Sequence, residues 1–183
     1  MKYRTIVADP PWDFGKQTFR TGRGHGHKYG NRPLPYSSMT LAEVAALPVS
    51  SCAEDDACLF LWATSRHLPQ SFSVVEAWGF KYVQMLVWVK PDPMPMVMPF
   101  APPATEFLLG CKRGKVPRQG AFPSSAIVAS QGGGHSAKPP VFLDYIEQVS
   151  PGPYLELFAR RQRLGWDTWG NECRCDVEMV THG

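Results

Sequence analysis

Thr5-Ile6-Val7-Ala8-Asp9-Pro10-Pro11-Trp12 is an apolar, β-branched run that stops at an acid and two prolines. The run predicts a buried strand. Each proline fixes its own φ and lacks an N–H, so the sheet ladder cannot continue past Asp9. A stiff corner follows, with the Asp9 and Pro10 carbonyls turned outward beside a carboxylate and the Trp12 ring. Such a corner suits a flat, amine-bearing ring at a sheet edge: carboxylate and carbonyl accept its two N–H bonds, and an aromatic face stacks on it. Alone, the octapeptide also reads as an ordinary strand end with a Pro-Pro turn.

The segment that follows is basic. Between Phe14 and Ala42 there is no acidic residue, but Lys16, Arg20, Arg23, Lys28 and Arg32 lie there, with His25 and His27. Five glycines and the rings of Phe19, Tyr29 and Tyr36 are threaded among them. So many glycines predict a long loop over residues 14–38. Cations with interleaved aromatics suit a polyanion that carries stackable bases.

Further along, strands and helices alternate. Thr40-Leu41-Ala42-Glu43 is a capping box that opens a short helix to about Leu47. Ala57–Ala63 is a continuous apolar run, as in a buried strand of a parallel sheet. His67–Trp78 has helical character with Pro69 in its first turn and Gly79 beyond its end. Tyr82–Val89 is a second apolar strand, and the Pro- and Met-rich residues 91–104 a second long loop. Phe107–Cys111 and Ser125–Ala129 read as short strands, Val141–Val149 as an amphipathic helix, and Tyr154–Ala159 and Arg163–Trp169 as the last strands. This pattern predicts a three-layer α/β sheet in one domain over residues 1–183, with a tail at 173–183 and ligands at the carboxyl ends of the strands.

In the C-terminal third, three glycines precede His135-Ser136-Ala137-Lys138-Pro139 at the start of a helix. A lysine with helix N-terminal amides suits a carboxylate or phosphate. Glu156-Leu157-Phe158-Ala159-Arg160 and Gly170-Asn171-Glu172 end two strands with polar side chains. Neither a G-x-G-x-x-G fingerprint nor a P-loop occurs, so nicotinamide and ATP sites are not indicated.

Composition sets the bounds. A chain of 183 residues with 44% hydrophobic and 19% charged residues is that of a soluble globular domain. No signal-peptide pattern opens it, and a cytoplasmic location is expected. Five scattered cysteines make a disulfide framework improbable. His25 with His27, and Cys173 and Cys175 with His182, match no common zinc spacing, so no metal is expected. Trp62, Trp78 and Trp88 are read as core, as are Val141, Phe142, Tyr145, Ile146 and Val149.

Taken in order, the motifs resemble those of the MT-A-type N6-adenine methyltransferases. The matching pieces are Ala8-Asp9-Pro10-Pro11-Trp12, Pro35-Tyr36-Ser37-Ser38-Met39, Phe60-Leu61-Trp62-Ala63-Thr64, Trp78-Gly79-Phe80, Val87-Trp88-Val89-Lys90, Glu106-Phe107-Leu108-Leu109-Gly110, His135-Ser136-Ala137-Lys138-Pro139, Ser150-Pro151-Gly152, Glu156–Arg160 and Gly170-Asn171-Glu172. The resemblance implies a Rossmann-like methyltransferase fold in which the catalytic motif precedes the donor motif. It also implies S-adenosylmethionine as methyl donor. By the same resemblance, Asp9, Pro10, Pro11 and Trp12 are catalytic, and Trp12 and Tyr36 stack on the base. Lys138 pairs with the donor's carboxylate; Asp9, Pro10, Ser136, Glu156, Phe158, Arg160, Asn171 and Glu172 line the rest of its pocket. The five basic residues from Lys16 to Arg32 contact nucleic acid.

The implied activity is transfer of methyl to the adenine amine in DNA. Adenine in RNA, a cytosine amine, a glutamine amide, and a silent nucleic-acid-binding subunit are the alternatives. Two departures stand out: the chain opens at the catalytic strand, and Gly132–Gly134 replace the basic residues that many relatives carry there. No target-recognition segment is evident, so specificity is weak or comes from a second copy or a partner.

Overall fold

A computed structural model describes residues 1–13, 38–92, 101–115, 119–131 and 137–179. Lys16, Arg20, Arg23, Lys28, Arg32, Tyr36 and Ser136 lie outside the described residues, as does most of the second long loop.

The elements run β1 (Tyr3–Ala8), α1 (Leu41–Ala45), α2 (Val49–Cys52), β2 (Ala53–Thr64), α3 (Leu68–Ala77), β3 (Lys81–Val89), β4 (Thr105–Arg113), β5 (Ala126–Val128), α4 (Val141–Val149), β6 (Tyr154–Leu157) and β7 (Trp166–Trp169). The strands form one seven-stranded sheet ordered β5-β3-β4-β2-β1-β6-β7. β1 is parallel to both its neighbours, with Ala8 opposite Leu61 of β2 and Leu157 of β6.

Side chains alternate along each strand between two cores, as a strand's two-residue period requires. Ile6, Ala8, Leu59 and Leu61 pack on one face with Val44 of α1 and Val74, Val75 and Trp78 of the α3 region. Val7, Phe60 and Trp62 pack on the other with Trp88, Leu108 and Phe142 and Ile146 of α4. The architecture is therefore the expected three-layer α/β sheet. Burying a side chain such as Ile6, Leu59 or Leu155 stabilises by roughly 1.5–3 kcal/mol, and this clamps β1 between β2 and β6.

Local signals set the helix ends. Thr40 and Glu43 close the capping box in both directions, the Glu43 carboxylate accepting the Thr40 N–H at 2.7 Å. Gly79 stops α3 at φ +79°, where the Phe80 N–H returns to the Val75 carbonyl at 3.0 Å, a position that favours glycine. The short α2 is not evident in the sequence, since one turn carries no period.

The sheet is mixed rather than parallel, which corrects the setting expected for the apolar run at Ala57–Ala63. Its strand, β2, has a parallel neighbour in β1 and an antiparallel one in β4. Among the described residues no helix lies between β3 and β4. The two strands pair antiparallel, an arrangement that does not require a helical crossover. This reversal brings the start of β4 to the edge where the parallel strands end, with Glu106 opposite Thr64 and Trp88.

Candidate active site

Asp9 leaves the carboxyl end of β1, at the point where the parallel order diverges toward β2 on one side and β6 on the other. Ligands of open α/β sheets bind in this crevice. The corner is held from several directions. The Asp9 N–H reaches the Leu157 carbonyl at 3.4 Å, and the Pro10 carbonyl accepts the Trp12 N–H at 2.8 Å. The Pro11 carbonyl accepts the Met39 N–H at 2.8 Å, while the Asp13 N–H donates to the Met39 carbonyl at 3.1 Å. A carbonyl has two lone pairs, so Pro10 keeps one for a ligand.

Trp12 is placed differently from the stacking role expected of it. Its ring is 4% exposed, its indole N–H donates to the Trp62 carbonyl at 3.1 Å, and one face lies on the His67 ring. The ring is apolar enough to be drawn under the corner, where it anchors the backbone instead of offering a face to a base.

Across 129 residues of sequence, Lys138 sets its ammonium 2.8 Å from both Asp9 oxygens. It also lies 3.2 Å from Glu106, whose other oxygen takes Lys90. The result is a rim of alternating charge, Lys90–Glu106–Lys138–Asp9, above the Trp62 and Trp88 rings. Burial alone would pull the Lys138 ammonium down, but the Asp9 and Glu106 carboxylates outweigh it and hold the pKa above its ordinary value. Glu106 and Lys90 carried no assigned role in the sequence reading beyond motif matching. The usable signal was an acid at the head of an apolar strand, because a buried carboxylate requires a partner.

On the other side of Asp9, the Glu156 carboxylate makes no hydrogen bond or ion pair among the described residues. Burial, and then the negative Asp9, push its pKa up to about 7, with Arg163 opposing. Beyond it, Phe158 sits at φ 63° with its ring against Trp169, a conformation that costs an L-residue roughly 1–2 kcal/mol. The turn brings Ala159 onto β7, where its N–H reaches the Trp169 carbonyl at 3.0 Å. Gly170 fits there because a Cβ would stand 2.2 Å from the Ala159 carbonyl oxygen. Arg160 and Glu172 pair at 3.6 Å beside the exposed Asn171. The expected donor-pocket residues Asp9, Pro10, Lys138, Glu156, Phe158, Arg160, Asn171 and Glu172 thus fall along the ends of β1, β6 and β7 and the entry to α4. The cysteines are thiols, and among the described residues no cluster of histidine, cysteine or acid is built to hold a metal.

S-adenosylmethionine presents an ammonium, a carboxylate and ribose hydroxyls. A carboxylate that takes no hydrogen bond among the described residues (Glu156), an acid and a cation that can each exchange partners (Asp9, Lys138) and a glycine-permitted close turn fit those groups.

Glu156 also makes a stability prediction. Its carboxyl titrates near 7 in the folded chain and near 4.5 unfolded. Between those values the folded state binds more protons, so stability falls as pH rises through the window and stays reduced above it. Glu156→Gln is expected to stabilise the donor-free protein by about 2 kcal/mol at pH 8, with the gain gone by pH 4.5. Urea unfolding at both pH values measures it; a less stable variant at pH 8 would contradict the assignment.

Comparison with known proteins places the chain in a family. The MT-A70 family model matches residues 3–172. The chain is 35% identical to the Type II methyltransferase M.MunI of a Mycoplasma species, over all of this chain and 83% of that one. It is 30% identical to the human N(6)-adenine-specific methyltransferase METTL4 over 93% of this chain, and 28% identical to a Drosophila melanogaster N(6)-adenosine-methyltransferase MT-A70-like protein over 98%. It spans only 37% and 29% of those two longer proteins.

Proposed function

This chain belongs to the MT-A70 family, and from that premise we propose that it transfers a methyl group from S-adenosylmethionine to the N6 amine of adenine in DNA. DNA is favoured over RNA because the match to the Type II methyltransferase M.MunI covers all of this chain and 83% of that protein, and the human N(6)-adenine-specific methyltransferase also matches. The observation that carries the reading is the Asp9-Pro10 corner at the carboxyl end of β1, stiffened by two prolines and by its bonds to Leu157, Met39 and Trp62.

The donor, when bound, supplies a methyl group already activated on a sulfonium. The protein's task is to position the amine and manage its lone pair. Adenine's amine is a weak nucleophile because that lone pair is delocalised into the ring. Asp9 and the Pro10 carbonyl accept the two N–H bonds and draw the nitrogen toward tetrahedral geometry. As positive charge develops on the nitrogen, the Asp9 carboxylate stabilises it, and this interaction strengthens toward the transition state. Trp12 and its bond to Trp62 keep the corner from moving. Lys138 holds the donor's carboxylate while Glu106 retains its grip on the same ammonium. Glu156, Asn171 and Glu172 take the ribose side, and Tyr36 stacks on the base. Within a duplex, the adenine is turned out of the stack before it reaches the corner.

Methyl-labelled donor incubated with unmethylated duplex DNA, single-stranded DNA and RNA, followed by nucleoside analysis, tests the proposal. Label in N6-methyladenine from duplex DNA is the expected result. Label from RNA alone would move the substrate to RNA, and no labelled adenine in any polymer would overturn the reading.

A further inference from the structure

We infer that His67 is a positioning residue for methyl transfer, holding the catalytic corner in register; the inference rests on the Asp9 reading above. His67 lies outside every motif singled out in the sequence and immediately precedes α3. Its own backbone is fixed: its N–H donates to the Thr64 carbonyl at 3.0 Å, and its carbonyl accepts the Ser71 N–H at 2.9 Å. From this mount the ring contacts Asp13, Thr64 and Trp12 among the described residues. Nε2 lies 3.1 Å from the Asp13 carbonyl oxygen, Nδ1 lies 2.9 Å from Thr64 Oγ1, and the ring stacks on Trp12 with centroids 5.6 Å apart and planes 12° apart.

Those partners define the proton positions. A carbonyl cannot donate, so Nε2 carries the hydrogen, and Nδ1 accepts the Thr64 hydroxyl hydrogen. The neutral ring therefore satisfies both nitrogens. Burial and the adjacent Arg66, against the opposing pull of Asp13, lower its pKa and favour this form.

The consequence reaches the reacting groups through contacts with Trp12 and Asp13. His67 presses on the ring of Trp12 and holds the carbonyl of Asp13. Trp12 in turn donates its N–H to the Pro10 carbonyl, the acceptor proposed for the second adenine N–H. That N–H is the backbone amide; the indole N–H is anchored on the Trp62 carbonyl. Release of the His67 side lets the Asp9–Trp12 segment drift while β1 and the donor pocket stay in place. Misplacement by about 1 Å is enough to cost a hundredfold in rate. The signature of such a role is loss of turnover without loss of donor affinity.

The test compares His67→Phe, His67→Gln and Asp9→Asn with the unmodified chain on unmethylated duplex DNA. Phe keeps a ring on Trp12 but breaks both hydrogen bonds; Gln restores an N–H for the Asp13 carbonyl. His67→Phe is expected to lower kcat about tenfold, the rate equivalent of losing the bond to the Asp13 carbonyl that holds the corner, with the donor Kd from equilibrium dialysis within twofold. His67→Gln is expected to recover kcat to within about threefold. An unchanged kcat in His67→Phe, a loss seen only in donor Kd, or a Gln variant as slow as Phe would overturn the inference. Asp9→Asn separates the two claims. If it stays active, the Asp9 reading fails; if it is inactive while His67→Phe is normal, only the His67 inference fails.

Discussion

Asp9→Asn is expected to reduce turnover by about a hundred- to a thousandfold, the range for removing one preorganised electrostatic contact to a developing charge. The amide is nearly isosteric, so the proline corner and its backbone bonds to Leu157 and Met39 remain. What disappears is the full negative charge facing the amine. Donor affinity should change by less than about tenfold. Lys138 loses one carboxylate but stays held by Glu106 at 3.2 Å, so the cation proposed for the donor's carboxylate is still in position. Labelled methyl transfer and equilibrium dialysis on the same preparation measure both quantities. A folded Asp9→Asn that binds no donor would show that the acid serves binding rather than transfer.

Lys138→Met should strike both stability and donor binding. Its ammonium sits between Asp9 and Glu106, with 15% of its side chain exposed. Removing it leaves two partly buried carboxylates with Lys90 as the remaining cation on that rim. Breaking a buried charge pair costs on the order of 3–5 kcal/mol. The partial exposure here favours the lower end, about 3 kcal/mol. Donor affinity should fall as well, by about a hundredfold, because a charge-assisted hydrogen bond to the donor's carboxylate is lost. The double variant Lys138→Met/Glu106→Gln distinguishes the two effects. With one of the two acids neutralised and Lys90 still on the same rim, urea unfolding should recover part of the lost stability while donor binding stays weak. Recovery of both would mean that Lys138 acts only as a structural counter-ion.

The residues differ in how far their roles could be read along the chain. Asp9, Pro10 and Pro11 were legible because proline's constraints are local: wherever the strand is placed, it must stop there and turn. Thr40 and Glu43 were legible for the same reason, since a capping box closes within four residues. The unbroken apolar runs of β1 and β2 announced strands buried on both faces, and a core lies on each side of them. The burial of Trp12 was not legible, because an aromatic ring beside an acid looks the same in a one-dimensional chain whether it faces solvent or the Trp62 carbonyl. Glu106 and His67 were passed over because their partners are distant strands, and no spacing rule links Glu106 to Lys138 or His67 to Asp13.

The one-dimensional chain settles what nearest neighbours impose: where strands and helices start and stop, and that a carboxylate stands on a stiff turn at a strand end. It does so because proline, glycine and capping side chains act within a few residues of themselves. The assembled sheet alone determines that Lys138 meets Asp9, that β4 runs backward and brings Glu106 to the rim, and that His67 lies on Trp12. Those contacts depend on register and strand order, which emerge when distant segments bury their apolar faces together.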